Sequence, residues 1–343
     1  MTTYKLAFIG FGNVGKALAR LLERKREELT REYEIDSRVV GLATGSHGIA
    51  IDPKGIDVLA AVEHLDGGHS LEKFHTSEPV ADTYDFIESC GADVLVEISY
   101  LNPDDGQPAL DYCRAALRNG MHVVTANKGP VVHAYRELEE LAAAKGKQFF
   151  FEATVMDGTP IFSTFREALP TSRVHAFRGV LNSTTNLILT EMEQGSTFDE
   201  AVRSAQEMGI AEADPSADVD GWDAAVKAAA LATVIMNAPV LPSEVVRTGI
   251  RDLSGADVRS AKERGERIKL LCEGKRVGER VQVSVQPTAL PEADPLAQLE
   301  GTSSAVTFEM DELNGLTITG HKPGPAQTAY GLLSDLVNAV RAR

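Results

Sequence analysis

The sequence predicts an α/β protein of two domains. Residues 1–150 form a doubly wound parallel sheet, and residues 151–320 form an α+β domain. Three observations carry this. Short apolar runs alternate with helical patterns through the first 150 residues. A glycine-rich turn follows the first of those runs. After Glu152 the strand patterns begin to neighbour one another across tight turns. A length of 343 residues agrees with two domains at about 150 residues each.

Tyr4 to Ile9 is a strand run, and Val14, Ala17, Leu18, Leu21 and Leu22 recur on one helix face. Arg38 to Ala43, Val94 to Ile98 and His122 to Thr125 are further strand runs. Helical patterns follow at Pro108 to Arg118 and Ala134 to Lys145, and Phe149, Phe150 and Phe151 complete the series. Continuously apolar strands alternating with helices belong in a parallel sheet covered on both faces, with right-handed crossovers. In the second domain Arg173 to Leu181 reads as a strand, and Ser183 opens a helix. Thr197-Phe198-Asp199-Glu200 is a capping box, and that helix stops at Gly209, a residue that tolerates a left-handed turn. An alanine-rich helix follows Gly221. Strand patterns come at Val281 to Val285, Ala305 to Met310 and Leu316 to Thr319. The last two flank a turn containing Asn314-Gly315 and are therefore antiparallel. Pro287 to Pro295 reads as an exposed loop, and Ala329 to Val340 as an amphipathic helix.

Thirty-four basic against fifty acidic residues leave a net charge of −16. This argues against a nucleic-acid partner, whose phosphates need a basic surface, and against an anionic membrane surface. No apolar run reaches the length of a bilayer span, and the N-terminus enters a strand without the apolar core of a signal peptide. Cys90, Cys113 and Cys272 are far apart with no CxxC spacing, so neither a disulfide framework nor a structural zinc site is encoded. The expectation is a cytoplasmic protein acting on a small molecule.

Gly10-Phe11-Gly12-Asn13-Val14-Gly15 lies directly between a strand and a helix, the context in which GxGxxG signals a dinucleotide site. The first glycine makes the turn, the second admits a pyrophosphate, and the third packs the helix on the sheet. After the second strand come Ala43-Thr44-Gly45-Ser46-His47-Gly48. That segment has no acidic residue for a ribose hydroxyl and no arginine for an extra phosphate, so the cofactor is NAD(P) without a choice between its forms.

Five carboxylates fall within the twelve residues from Glu212 to Asp223, followed by Lys227. A calcium loop is excluded, because with Gly221 at its sixth position the twelfth would be Lys227 instead of a glutamate. A solvated acidic loop fits less well, since the run abuts a helix too rich in alanine to face water. Asp223 and Lys227 stand four apart on that helix. They form either a plain surface pair or a carboxylate holding a lysine that delivers a proton. Lys128 follows a strand end in Thr125-Ala126-Asn127-Lys128, at the edge where parallel sheets bind ligands. An ordinary exposed lysine is the alternative there.

Together these motifs resemble homoserine dehydrogenase over nearly the whole chain. The resemblance rests on the glycine turn, Thr125 to Lys128, Glu152-Ala153-Thr154-Val155, Leu181 to Asn186, and Ala211 to Lys227. It implies reversible reduction of L-aspartate 4-semialdehyde to L-homoserine, in threonine, methionine and isoleucine biosynthesis. It further implies a Rossmann-type domain completed by about residues 321–343, a catalytic domain carrying a homodimer interface, and a C-terminal helix returning to the first domain. By the resemblance, Lys227 donates the proton, Lys128 assists at the reacting oxygen, and Asp223 orients Lys227 or contacts substrate. Glu212 and Asp223 bind substrate, with Asp218 nearby and Gly209 on the substrate side. Gly10, Gly12, Asn13, Val14, Gly15, Ser99, Lys128 and Gly324 serve the cofactor. Backbone carbonyls of Glu152, Val155, Asp157 and Thr159 hold a structural sodium ion. Three departures from the family pattern stand out. Met156-Asp157 occupies a turn that is usually glycine-rich, Ser183 stands where glycine is usual, and the chain ends at Arg343 without a regulatory domain. From the last, no feedback by threonine is expected. The rivals are a same-scaffold enzyme for a different small amino- or hydroxy-acid aldehyde and a nucleotide sensor without catalysis.

Overall fold

The computed structural model describes residues 1–341 and divides into two compact units, Met1–Pro160 with Gly324–Arg343, and Ile161–Pro323. The first unit contains β1 (Thr2–Ile9), α1 (Asn13–Tyr33), β2 (Ile35–Thr44), β3 (Gly48–Ile51), α2 (Val58–Asp66), α3 (Thr83–Ser89), β4 (Val94–Glu97), α4 (Ala109–Arg118), β5 (His122–Thr125), α5 (Lys128–Ala144) and β6 (Phe149–Phe150). The sheet order is β3-β2-β1-β4-β5-β6, and every pairing is parallel except the antiparallel β2–β3 hairpin. The chain therefore winds outward from β1 in both directions, which leaves a switch point between β1 and β4 at the carboxyl ends of the strands.

The second unit runs β7 (Val174–Val180), α6 (Ser183–Glu193), α7 (Phe198–Glu207), α8 (Ser216–Val219), α9 (Trp222–Val234), β8 (Val246–Arg247), α10 (Gly255–Glu263), β9 (Glu266–Val277), β10 (Arg280–Pro291), β11 (Ser304–Met310) and β12 (Leu316–Gly320). Its sheet has the order β12-β11-β7-β9-β10-β8 and is antiparallel apart from the short β8–β10 pairing. Helix α11 (Pro325–Arg341) then belongs to the first unit. Its Ala329, Leu332, Leu333 and Leu336 pack with Leu18 and Leu22 of α1 in the same apolar cluster as Leu6, Phe8 and Val96 of the sheet.

Several elements differ from the sequence reading. Helix α5 begins at Lys128, not Ala134, because Asn127 caps it by accepting from the Gly129 amide at 3.0 Å. Pro130 is harmless in a first turn, where no intrahelical partner is lost. A kink at Ala134, with φ −150° and ψ 27°, marks the predicted start as the beginning of a second helical segment. The expected loop from Pro287 to Pro295 is overturned as far as Pro291, since Pro287 to Pro291 pair with Leu270 to Glu266 in register. On its other side β10 meets β8 only at Ser284 and Val285, so both prolines sit on an open edge where no amide is needed. Strand β9 was not anticipated. Its charged residues mask the apolar alternation, and Lys269 is fully buried within it.

Candidate active site

A cleft of about 700 Å³ lies within the first unit, lined by Gly10, Gly12, Lys16, Thr44, His47 and Ser99 among others. Gly10 has φ +91°, and a Cβ there would stand 2.3 Å from the Ile98 carbonyl oxygen. Gly15 packs α1 on the sheet, with an added Cβ meeting the Ile98 side chain at 3.1 Å. Gly12 caps α1 and is different: a Cβ there would meet nothing within 4 Å. Its missing side chain leaves room for a ligand against the open amides of a helix start, where Asn13 and Val14 begin α1. The cleft therefore fits a pyrophosphate-bearing dinucleotide. The segment after β2 brings no carboxylate to it. Lys16, which lines the cleft, is held by Asp66 at the end of α2, with Nζ 2.6 Å from Oδ1.

At the carboxyl ends of β4 and β5, Ser99 and Lys128 follow a buried network. Glu97 accepts from the Ser99 amide at 2.9 Å and from the Thr125 hydroxyl at 2.9 Å. Asn127 donates its amide side chain to the Ser99 and Tyr100 carbonyls at 3.3 Å. Lys128 is thus the first residue of a helix whose cap is tied to the loop carrying Ser99.

The second unit holds a cluster of its own. Asn182, at the junction of β7 and α6, caps α6 by accepting from the Thr185 amide at 2.8 Å. Its Nδ2 donates to Asp218 Oδ1 at 2.6 Å and to Asp223 Oδ2 at 2.9 Å. Lys227 Nζ lies 2.8 Å from Asp223 Oδ2 and donates to the Leu181 carbonyl at 2.9 Å. Helix α9, which carries Asp223 and Lys227, is buried along Ala224, Ala225, Val226 and Ala228 to Thr233. This places the pair well away from a plain surface setting, with side chains 19% and 17% exposed. Burial, and then the neighbouring Asp223 charge, raise the Asp218 pKa above its ordinary value.

The five clustered carboxylates divide by role. Asp218 and Asp223 turn toward Asn182. Asp220 is bound by Arg251 at 2.7 Å, and Asp214 accepts from the Ser216 amide at 3.0 Å. Glu212 is exposed, and its backbone carbonyl accepts from Gln206. Gly209 ends α7 with φ +69°, as its left-handed turn requires. Asn182 was missed as a site residue. Its place in the Leu181 to Asn186 motif and its position as a helix cap were the available signals.

Gly324 opens α11, its carbonyl accepting from the Gln327 and Thr328 amides. In the 152–159 segment Glu152 and Val155 are buried, and Met156 and Asp157 both adopt left-handed φ, +56° and +58°. Asp157 accepts from the Thr328 hydroxyl at 2.9 Å. The backbone thus keeps a conformation that suits glycine, although neither residue is one. All three cysteines are free and buried, and burial raises each thiol pKa, that of Cys272 to about 12. None is an activated nucleophile.

Residues 160–337 match the family model for homoserine dehydrogenase, and residues 10–152 match that for the homoserine dehydrogenase NAD binding domain. The chain belongs to the homoserine dehydrogenase family. The NAD(+)-dependent homoserine dehydrogenase of Pseudomonas canavaninivorans is 37% identical over 341 residues, covering 98% of this chain and 96% of that one. A crystal structure of a putative homoserine dehydrogenase from Archaeoglobus fulgidus superposes with a TM-score of 0.86 at 32% identity, covering 98% of both chains. A hyperthermophilic archaeal homoserine dehydrogenase in complex with NADPH gives 0.83 at 30% identity, over 99% of this chain and 98% of that one. The homoserine dehydrogenase fold, with its NAD-binding and catalytic domains, is the fold of this chain, and its cofactor is NAD(P).

Proposed function

We propose that Lys227 and Lys128 carry the charge and proton chemistry of the reversible, NAD(P)-dependent reduction of L-aspartate 4-semialdehyde to L-homoserine. NAD(P)H, when bound, supplies the hydride that adds to the aldehyde carbon. Lys227 gives a proton to the aldehyde oxygen as that oxygen gains negative charge, and Asp223 Oδ2 holds the ammonium in place. Lys128 polarises the same carbonyl, so developing charge meets fixed cations and not reorganising water. Asp218 and Glu212 recognise the substrate ammonium, with Gly209 on the substrate side. Gly10, Gly12, Asn13, Val14 and Gly15 seat the pyrophosphate, and Ser99 and Gly324 border the nicotinamide or ribose. The observation that supports this reading best is a lysine amine fixed between a carboxylate and a carbonyl on a largely buried alanine-rich helix, a setting that serves positioning better than solubility.

The curled 152–159 backbone, with Glu152 and Val155 buried, suits carbonyl oxygens gathered for a hard monovalent cation, sodium. We assign that role to the Glu152, Val155, Asp157 and Thr159 carbonyls. A sodium-dependent rise in thermal unfolding temperature, absent with choline, tests it. Among the described residues no helix is long and apolar enough to cross a membrane. We place the chain in the cytoplasm as a homodimer formed through its second unit, and sedimentation gives the mass that decides the oligomer.

The deciding experiment follows nicotinamide absorbance with purified protein, L-homoserine and NAD⁺ or NADP⁺ in turn. Cofactor reduction with at least one form is expected. Clear cofactor binding with no reduction by either would overturn the proposal.

A further inference from the structure

Glu97 ends β4, between Ile9 of β1 and Thr125 of β5 in register, directly at the switch point of the first sheet. Its side chain is fully buried, 0% exposed, and the reaction scheme above gives it no part. Oε1 accepts from the Ser99 amide at 2.9 Å and the Ser99 hydroxyl at 2.5 Å, and Oε2 accepts from the Thr125 hydroxyl at 2.9 Å. Thr125 Oγ1 in turn accepts from the Asn127 amide at 2.9 Å. Burial pushes the Glu97 pKa up, and against it the Ser99 amide, the Ser99 hydroxyl and the Thr125 hydroxyl each point a neutral donor at the carboxyl group. That is the arrangement an ionised carboxylate demands, and the short hydroxyl contact is the length such a bond takes.

We propose that Glu97 is a positioning residue of the cofactor site whose buried negative charge favours the oxidised over the reduced nicotinamide. The inference rests on the reading of the glycine-turn cleft as the NAD(P) site. In a doubly wound sheet the pyrophosphate sits at the first turn, and the two nucleotide halves spread to either side of the switch point. The half over β4 and β5 lies above Glu97. An oxidised nicotinamide ring is cationic and a reduced one is neutral, so a carboxylate in a poorly screened interior acts on one form only. The same carboxylate fixes the loops that carry Ser99 and, through Thr125 and Asn127, Lys128.

The test compares dissociation constants of the oxidised cofactor, by calorimetry, with those of the reduced cofactor, by its fluorescence. Glu97→Gln keeps the shape and removes the charge. The ratio of oxidised to reduced Kd is expected to rise about fivefold or more. Glu97→Asp keeps the charge and leaves the ratio at the wild-type value. If Glu97→Gln yields no folded protein by circular dichroism, the double variant Glu97→Met/Thr125→Val replaces acceptor and donor with apolar groups and is read against the same ratio. An unchanged ratio in the uncharged variant, with wild type binding both forms, overturns the role of Glu97 alone. Wild type binding neither form removes the cofactor reading with it.

Discussion

Lys227 and Asp223 share a single oxygen with Asn182. Asp223 Oδ2 lies 2.8 Å from the Lys227 amine and 2.9 Å from the Asn182 amide, so one carboxylate joins the buried helix to the end of β7. The amine is held on its other side by the Leu181 carbonyl at 2.9 Å. A lysine fixed at two points loses little further freedom when it delivers a proton.

Replacing that lysine should therefore affect chemistry more than binding. Lys227→Ala and Lys128→Ala are each expected to lower kcat roughly 10²- to 10⁴-fold. Cofactor Kd should stay at the wild-type value in Lys227→Ala, whose lysine lies in the other unit from the glycine turn, and rise only modestly in Lys128→Ala, which leaves that turn intact. Steady-state kinetics together with fluorescence titration check both halves. Near-normal turnover in both variants would remove the mechanism.

Asn182 combines a structural and a functional task that two variants can separate. Asn182→Ala loses the α6 cap and is expected to cost about 1 kcal/mol or more in urea unfolding. Asn182→Ser restores the cap but cannot reach both carboxylates. It should recover most of that stability while KM for homoserine stays raised, as Asp218 and Asp223 lose the amide between them. Equal loss of stability in both variants would contradict this.

The glycine turn offers a second separation. Gly10→Ala forces a Cβ onto the Ile98 carbonyl in a left-handed backbone, and should destabilise the fold by about 1–3 kcal/mol or more. Gly12→Ala meets nothing in the protein and has ordinary φ, so its unfolding midpoint should match wild type. Its cofactor affinity should nevertheless fall sharply. Normal affinity in Gly12→Ala would mean that the pyrophosphate does not lie on this turn.

His122 introduces a pH dependence. Burial, and then the charge of Lys147, lower its pKa from 6.5 to about 4, and its Nδ1 accepts from the Gln148 amide at 3.2 Å. The fold thus holds the neutral imidazole, while the unfolded chain takes up a proton near pH 6.5. Its contribution is complete above pH 6.5 and lost as pH falls toward 4, by about 1–2 kcal/mol once partial exposure is allowed for. Urea midpoints across that window should fall less steeply in His122→Asn than in wild type.

The three thiols supply a negative control. Burial raises the pKa of Cys90, Cys113 and Cys272, so a thiol reagent at neutral pH should label the native protein only as fast as it unfolds. Rapid labelling of one cysteine would contradict the buried, inert setting of the thiols.

Much of the fold could be read because its signals are local. Continuous apolar runs, the glycine turn and the Thr197 capping box specify their elements over a few residues, and the box forms with Glu200 as the motif requires. The misreadings have two causes. Charged β9 is a strand because its long pairing with β10 overrides a weak pattern, and Pro287 and Pro291 are tolerated because tertiary pairing leaves that side of β10 an edge. Helix α5 starts six residues early because Asn127 folds back on its own backbone, a cap that apolar periodicity cannot register.

The sequence by itself determined the two-domain α/β plan, the dinucleotide turn and the Asp223–Lys227 spacing. Each of these depends on residues near one another along the chain. Only the tertiary structure decided which clustered carboxylates turn inward, that Asn182 bridges two of them, and that Glu97 is buried and accepts from Ser99 and Thr125. Apart from the Ser99 contact, those relations join residues about 30 to 40 positions apart, and burial and hydrogen-bond geometry select them only once the sheets have formed.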